Sequence, residues 1–255
     1  MTKDASPRPR VGIFSLTCCE GCQIEILNLE DVILQVAEKI DIVSFRLAKE
    51  KDQAENFDIA FLEGSISTEE DLMRAKEVRE KSSVLVALGS CACTGGVQAA
   101  KNFMKKSDVE KAVYGKSKLD ISFAEPAALS EHITVDHEIK GCPIDNREFV
   151  SILKQLLLGC TPYIREYAVC VECKIRENAC LLDYGKICLG PISYAGCSAV
   201  CPSNGLECIG CRGIMKDANI KSFVKMLKNR THKIKDIKEA FHMIYGRNPK
   251  LKEVR

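Results

Sequence analysis

The stretch from Cys170 to Cys211, CVECKIRENACLLDYGKICLGPISYAGCSAVCPSNGLECIGC, constrains this chain more than any other. Eight of the fifteen cysteines fall in these 42 residues, at 170, 173, 180, 188, 197, 201, 208 and 211. Two CxxC pairs bracket the stretch, and Cys201 is followed by Pro202. Thiolates at such intervals can close around soft metal centres, and the iron–sulfur cluster is the commonest centre that takes four of them. Eight thiolates suffice for two four-cysteine clusters. Large apolar residues are few here, so the metal centres are expected to hold the stretch folded.

Two rival readings of the cysteines are weaker. A disulfide framework needs an oxidising compartment. The N-terminus, MTKDASPRPR, has no apolar signal region and no adjacent arginine pair, and the cysteine count is odd. No apolar run is long enough to cross a bilayer. The expectation is a cytoplasmic chain with no direct membrane insertion. A zinc ribbon wants its CxxC pairs about 15–20 residues apart. Here 34 residues and four further cysteines separate them. A structural zinc-binding interaction module is the alternative from another functional class. A net charge of +2 gives no electrostatic call for nucleic acid.

The first 160 residues have a different texture. Short apolar runs at Val11–Leu16, Asp41–Leu47, Phe57–Leu62 and Val84–Leu88 read as buried strands, with a weaker one at Val135–Ile139. Between them lie helical patterns: Ile24–Ile40, Thr68 to Lys81 with Thr68 as N-cap and Asp71 three residues on, 97–106, and Arg147–Leu158. Residues 1–10 read as a loose tail and 107–133 as irregular. Strands alternating with helices predict an α/β fold built on an open, mostly parallel sheet.

Cysteines punctuate this pattern just after the strands. Cys18, Cys19 and Cys22 follow the first, Cys91 and Cys93 the fourth, and Cys142 the last. Ligands of open α/β sheets gather beyond the carboxyl ends of the strands. Cys19-x-x-Cys22, Cys91 and Cys142 therefore make one four-cysteine site at a sheet edge. Gly21, Gly89, Gly95, Gly96 and Gly141 flank it and permit close backbone approach. Cys18 and Cys93 are open to either a ligand or a packing role, and Cys160 reads as a small apolar residue. Gly95-Gly96 is no phosphate loop, since neither GxxxxGK[ST] nor GxGxxG is present. The histidines at 132, 137, 232 and 242 lack ligand spacing. Lys216–Lys235 reads as a solvated helix face over Ile220, Phe223 and Leu227.

Cys19-Glu20-Gly21-Cys22, then Gly89-Ser90-Cys91-Ala92-Cys93-Thr94-Gly95-Gly96, then Gly141-Cys142-Pro143, then the cysteine-rich stretch, together resemble the small subunit of nickel–iron hydrogenases. The resemblance covers roughly residues 11–212 and is strongest to the delta subunit of the soluble archaeal sulfhydrogenase type. It implies a flavodoxin-like domain over 1–160 with a proximal four-iron (4Fe-4S) cluster on Cys19, Cys22, Cys91 and Cys142. It implies a domain of little regular structure over 161–215 with two more four-iron clusters, and a helical tail over 216–255. The distal cluster falls to Cys170, Cys173, Cys180 and Cys188, with Cys170-x-x-Cys173 standing where periplasmic members have HxxC. The medial cluster falls to Cys197, Cys201, Cys208 and Cys211, Cys201 adding a fourth thiolate where many members have three. Cys18 beside Cys19 is a departure, shared with the related subunit of respiratory complex I. By resemblance the chain is an electron-transfer subunit of a cytoplasmic hydrogenase. The nickel–iron centre lies on a large subunit, and a flavin lies on NADP(H)-binding and iron–sulfur partner subunits. Hydrogen oxidation or evolution is the reaction, with sulfur or polysulfide reduction as a second activity. The alternative within the class is the cluster subunit of a complex-I-like or membrane-bound hydrogenase.

Overall fold

A computed structural model describes residues 7–48, 56–115, 125–230 and 232–245. The tail reading for residues 1–6 and the end of the helical tail, 246–255, lie outside them. The first part of the chain runs β1 (Arg10–Ser15), α1 (Gly21–Leu27), α2 (Asp31–Ala37), β2 (Asp41–Phe45), β3 (Phe57–Glu63), α3 (Glu69–Lys81), β4 (Ser82–Leu88) and α4 (Gly89–Thr94). A 3-10 segment, Val97–Phe103, precedes α5 (Lys106–Tyr114), β5 (His137–Ile139) and α6 (Asn146–Leu157). The second part carries α7 (Val169–Ile175), α8 (Val200–Ser203), α9 (Ile220–Asn229) and α10 (Ile234–His242).

The five strands form one parallel sheet in the order β2-β1-β3-β4-β5. This is the flavodoxin-like order, as the resemblance implied. Both faces are covered, which is why the strands read as continuous apolar runs rather than alternating ones. Ile13, Ile59, Phe61, Val86 and Leu88 point to the side packed by α1 and α6, where Phe61 and Phe149 meet with ring centroids 5.0 Å apart. Phe14, Ala60, Leu62, Leu85 and Ala87 point to the other side, against Ala75 and Val78 of α3.

The start signal at Thr68 holds up. Thr68 accepts from the Asp71 N–H at 3.1 Å while the Asp71 carboxylate accepts from the Thr68 N–H at 3.1 Å, a reciprocal cap for α3. Asp145 caps α6 through the Glu148 N–H at 2.9 Å.

Two expectations change. The helix read over 24–40 is two helices, because Asn28 ends α1 and Glu30 turns the chain at φ 48°. The 107–133 region read as irregular opens with α5. No residue of α5 is buried, so the helix leaves little apolar periodicity to read.

The cysteine-rich stretch is not without a core. Leu189 and Ile192 share one apolar cluster with Phe223 and Leu227 of α9 and with Phe241, Ile244 and Tyr245 at the end of α10. Tyr245 is fully buried, its hydroxyl 3.0 Å from Ser193 Oγ. A Cβ at Gly210 would stand 1.8 Å from that hydroxyl, and Gly210 adopts φ +79°. Only glycine fits there, between Cys208 and Cys211.

Candidate metal centres

The first thiol set lies beyond the carboxyl ends of β1, β4 and β5. Glu20, at φ 60°, turns the chain so that Gly21 opens α1 and Cys22 faces inward, buried. A Cβ on Gly89 would stand 2.4 Å from Cys22 Sγ, so the turn after β4 passes directly over that sulfur. A Cβ on Gly96 would stand 2.8 Å from Cys91 Sγ. The loops are tied to each other. Gln98 accepts from the Cys91 thiol at 3.3 Å and donates to the Thr17 carbonyl at 3.2 Å. The Ser90 N–H donates to the Gly141 carbonyl at 2.8 Å. Cys19, Cys91 and Cys142 lie within electrostatic reach of one another, and Cys22 within reach of Cys91.

Cys18 belongs to the same neighbourhood, close to Cys91. Cys93 is also within electrostatic reach of Cys91, but its thiol is buried and aimed at the Ala87 and Ile139 carbonyls, 3.7 and 3.8 Å away. Cys160 is exposed and stands apart beside the Leu158 carbonyl.

One residue of this site was not singled out from the sequence. Glu63, the last residue of β3, is buried and accepts from the Cys22 N–H, the Gln23 N–H and the Gln23 side chain at 3.2, 3.3 and 3.2 Å. Burial pushes the Cys18 thiol up to about 12, and the Glu63 carboxylate adds to it. Burial and then Glu63 also raise Cys22. Cys91 is pushed up to about 11 by burial, and Cys142 is raised by desolvation, then by Cys19 and Glu63. The only sequence signal of Glu63 is its place as an acidic residue ending a buried strand just before a glycine.

The second part of the chain gathers the other thiols. Cys170 and Cys173 sit on α7 three residues apart, hence on one face. Cys170 lies within electrostatic reach of Cys188, Cys173 and Cys180. A Cβ on Gly190 would stand 3.4 Å from Cys170 Sγ and 3.6 Å from Cys188 Sγ. Cys201 lies close to Cys197, and Cys208 close to Cys211 and Cys197. A cavity of about 350 Å³ opens among Cys142, Cys197, Cys201, Cys208 and Cys211. Burial pushes Cys170 and Cys211 up to about 11, and raises Cys188, Cys201 and Cys208.

The sets lie in series. Cys142 and Cys211 are within electrostatic reach of each other and line the same cavity. The Cys208 N–H donates to Cys188 Sγ at 3.3 Å. The first set thus meets the second across that cavity, and one hydrogen bond links the second to the third.

These features fit thiolate-held clusters. Every donor is a soft sulfur. Glycines stand where a Cβ would fill the space beside Cys22, Cys91 and Cys170. Desolvated thiols that favour the protonated form at neutral pH become ligands when a bound cation draws off the proton. Among the described residues, no three His, Cys, Asp or Glu side chains lie close enough together to hold a single metal ion.

A flavodoxin-like sheet with thiol sets running outward from its strand ends defines a class, the electron-transfer proteins that work through cysteine-held centres. Similarity to known proteins narrows the class. A family model described as NADH ubiquinone oxidoreductase, 20 Kd subunit, matches residues 19–156. The chain is 38% identical over 220 residues to sulfhydrogenase 2 subunit delta of Pyrococcus furiosus, covering 86% of this chain and 92% of that one. It is 34% identical to a subunit of the F420-non-reducing hydrogenase vhu of Methanocaldococcus jannaschii, over 80% of this chain and 81% of the relative. The NiFeSe hydrogenase structure of Desulfomicrobium baculatum matches with TM-score 0.56 at 17% identity, covering 85% of this chain and 98% of that chain. That share exceeds residues 1–160, so the likeness in fold continues into the cysteine-rich stretch. The chain belongs to the NADH ubiquinone oxidoreductase 20 Kd subunit family and, within it, to hydrogenase subunits of the sulfhydrogenase delta kind. No helix among the described residues is long and apolar enough to cross a membrane.

Proposed function

We propose that twelve cysteines hold three four-iron clusters. The proximal one is on Cys19, Cys22, Cys91 and Cys142. The medial one is on Cys197, Cys201, Cys208 and Cys211, and the distal one on Cys170, Cys173, Cys180 and Cys188. When bound, such clusters take up and pass on single electrons. This chain's own part is to hold the thiols, keep water from them and aim backbone N–H groups at sulfur. The observation that carries the reading is the serial nearness of the sets: Cys142 shares a cavity with Cys211, and the Cys208 N–H donates to Cys188 Sγ. A relay needs that order.

In this reading residues 1–160 carry the proximal centre beside a large subunit that holds the nickel–iron site. Residues 161–215 carry the medial and distal centres, and α9 and α10 back them. The partners beyond the distal set are NADP(H)-linked flavin and iron–sulfur subunits of a cytoplasmic complex. Both that linkage and sulfur or polysulfide reduction rest on likeness to the sulfhydrogenase type.

Two cysteine variants test the assignment. Cys142→Ala in the native complex should lose about four irons and leave the signals of the other two clusters in place. Cys201→Ser should lose about one iron and gain the paramagnetic signal of an oxidised three-iron cluster. An unchanged spectrum and iron count would strike the residue from its site.

A further inference from the structure

A line of buried charge runs between the loops that carry the three thiol sets. Arg212 directly follows Cys211. Its side chain is 3% exposed, and its guanidinium is fully engaged. Nε donates to the Ala195 carbonyl at 2.6 Å, Nη1 to the Lys140 carbonyl, and Nη2 to both oxygens of Glu148 at 2.8 and 2.6 Å. Lys140 stands two residues before Cys142, and Ala195 two residues before Cys197. Glu148 lies on α6, under the sheet. One planar fork therefore grips the proximal loop, the medial loop and the sheet domain together. Ser90 adds a hydrogen bond from its hydroxyl to the Cys211 carbonyl.

Glu172 makes the matching grip one step outward. It sits on α7 between Cys170 and Cys173. Its carboxylate accepts from the Gly196 N–H at 2.9 Å and the Ala199 N–H at 3.3 Å, the two residues flanking Cys197 and Ser198. Arg165 closes the line, 3.6 Å from Glu148 and 3.9 Å from Glu172. The sequence of charges is Arg212, Glu148, Arg165, Glu172, alternating in sign. Space is tight: a Cβ on Gly196, which adopts φ +122°, would stand 2.3 Å from Arg212 Nη2.

Burying three charged groups, Arg212, Glu148 and Glu172, is costly, and apolar side chains would hold two layers together as well or better. What hydrogen-bonded charge offers beyond adhesion is direction, because a fork on fixed acceptors tolerates little movement. We infer that Arg212 and Glu172, joined through Glu148 and Arg165, are positioning residues: Arg212 sets the proximal-to-medial spacing and Glu172 the medial-to-distal spacing. This rests on the cluster assignment above.

The test uses the assembled complex carrying Arg212→Lys or Glu172→Gln. Each keeps approximate size, but Lys lacks the fork and Gln can accept only through one oxygen. The readouts are the iron content, the magnetic coupling between reduced neighbouring clusters, and the rate at which a chelator strips iron. Arg212→Lys should change the proximal–medial coupling and leave the medial–distal coupling as it was. Glu172→Gln should do the reverse. Stripping should quicken by about ten- to a hundredfold, the usual cost of losing an outer partner of metal ligands. A merely structural role would lower thermal stability with both couplings intact, and that result would overturn the inference. Should Arg212→Lys fail to assemble, Arg165→Gln serves, since Arg165 is 40% exposed and its removal leaves both grips bonded. It should shift both couplings slightly, and no shift in either would overturn the inference. Wild-type complex without iron–sulfur signals would instead bring down the cluster assignment and the inference with it.

Discussion

The two halves of this molecule solve the folding problem by different means. Residues 10–157 are a sheet sandwiched between helices, with strand residues alternating between two apolar layers. Their stability follows from burial of side chains such as Phe61, Leu62 and Leu88, none of which has any exposed area. Residues 160–215 have only short helical pieces, α7, α8 and the 3-10 turns Leu181–Tyr184 and Gly190–Ile192, and much loop. Their apolar support is borrowed: α9 and α10 supply Phe223, Leu227, Phe241 and Tyr245, and the stretch itself contributes little beyond Val169, Leu182, Leu189, Ile192 and Ile214. Burial fixes one face of the cysteine loops and leaves the thiol side to be fixed by something else. The account assigns that to the clusters and to the buried charge line. In the proposed reading, one region can fold first and wait for metal, and the other needs it.

The largest effect should come from removing the metal. Anaerobic chelation should abolish amide protection across 170–211 while the strands β1, β3 and β4 stay protected, as measured by hydrogen exchange. Equal loss in both halves would erase the contrast between them.

A smaller effect separates borrowed support from metal support. Phe241→Ala deletes a fully buried ring of the second core and should cost about 3–5 kcal/mol in denaturant unfolding of the second half. The midpoint of the sheet half should not move. A single shifted transition for the whole chain would mean that the halves unfold as one.

The smallest effect lies within the sheet half and depends on pH. Asp136, just before β5, accepts from the Leu85 N–H at 2.7 Å and pairs with Arg79 at 2.5 Å. Desolvation alone would raise its carboxyl, but these partners hold it below the usual carboxylate range. Its contribution is therefore full above about pH 4, the ordinary aspartate value, and is lost as pH falls through the lower folded value. The pair is partly exposed, so the term is below about 1 kcal/mol. Asp136→Asn should flatten the acid limb of the sheet half's stability curve by that amount, and an unchanged limb would dismiss the pair.

Legibility from sequence differed between the halves for the same physical reasons. The β strands were readable because a sheet buried on both faces leaves unbroken apolar runs at Val11, Phe57 and Val84. The thiol positions at the sheet edge followed from topology, since parallel strands deliver Cys19, Cys91 and Cys142 to one end. The split of helix 24–40 was hidden, because Ile24, Leu27, Val32 and Val36 keep helical spacing across the break. The core behind the cysteine loops was under-read, because its large residues lie in α9 and α10, far along the chain. The roles of Glu63, Glu148, Glu172 and Arg212 were invisible. A charged residue in a sequence reads as surface by default, and only the folded arrangement shows that its partners are buried with it.

The central claim is that the twelve thiols hold clusters rather than single ions, and one measurement meets it directly. Iron and acid-labile sulfide are counted on the anaerobically purified native complex, and the contribution of this chain is isolated by dissociating it under the same conditions. The account predicts about twelve irons and an equal amount of sulfide per chain, four for each four-cysteine set. A count near eight, or zinc in place of iron with no labile sulfide, would contradict it.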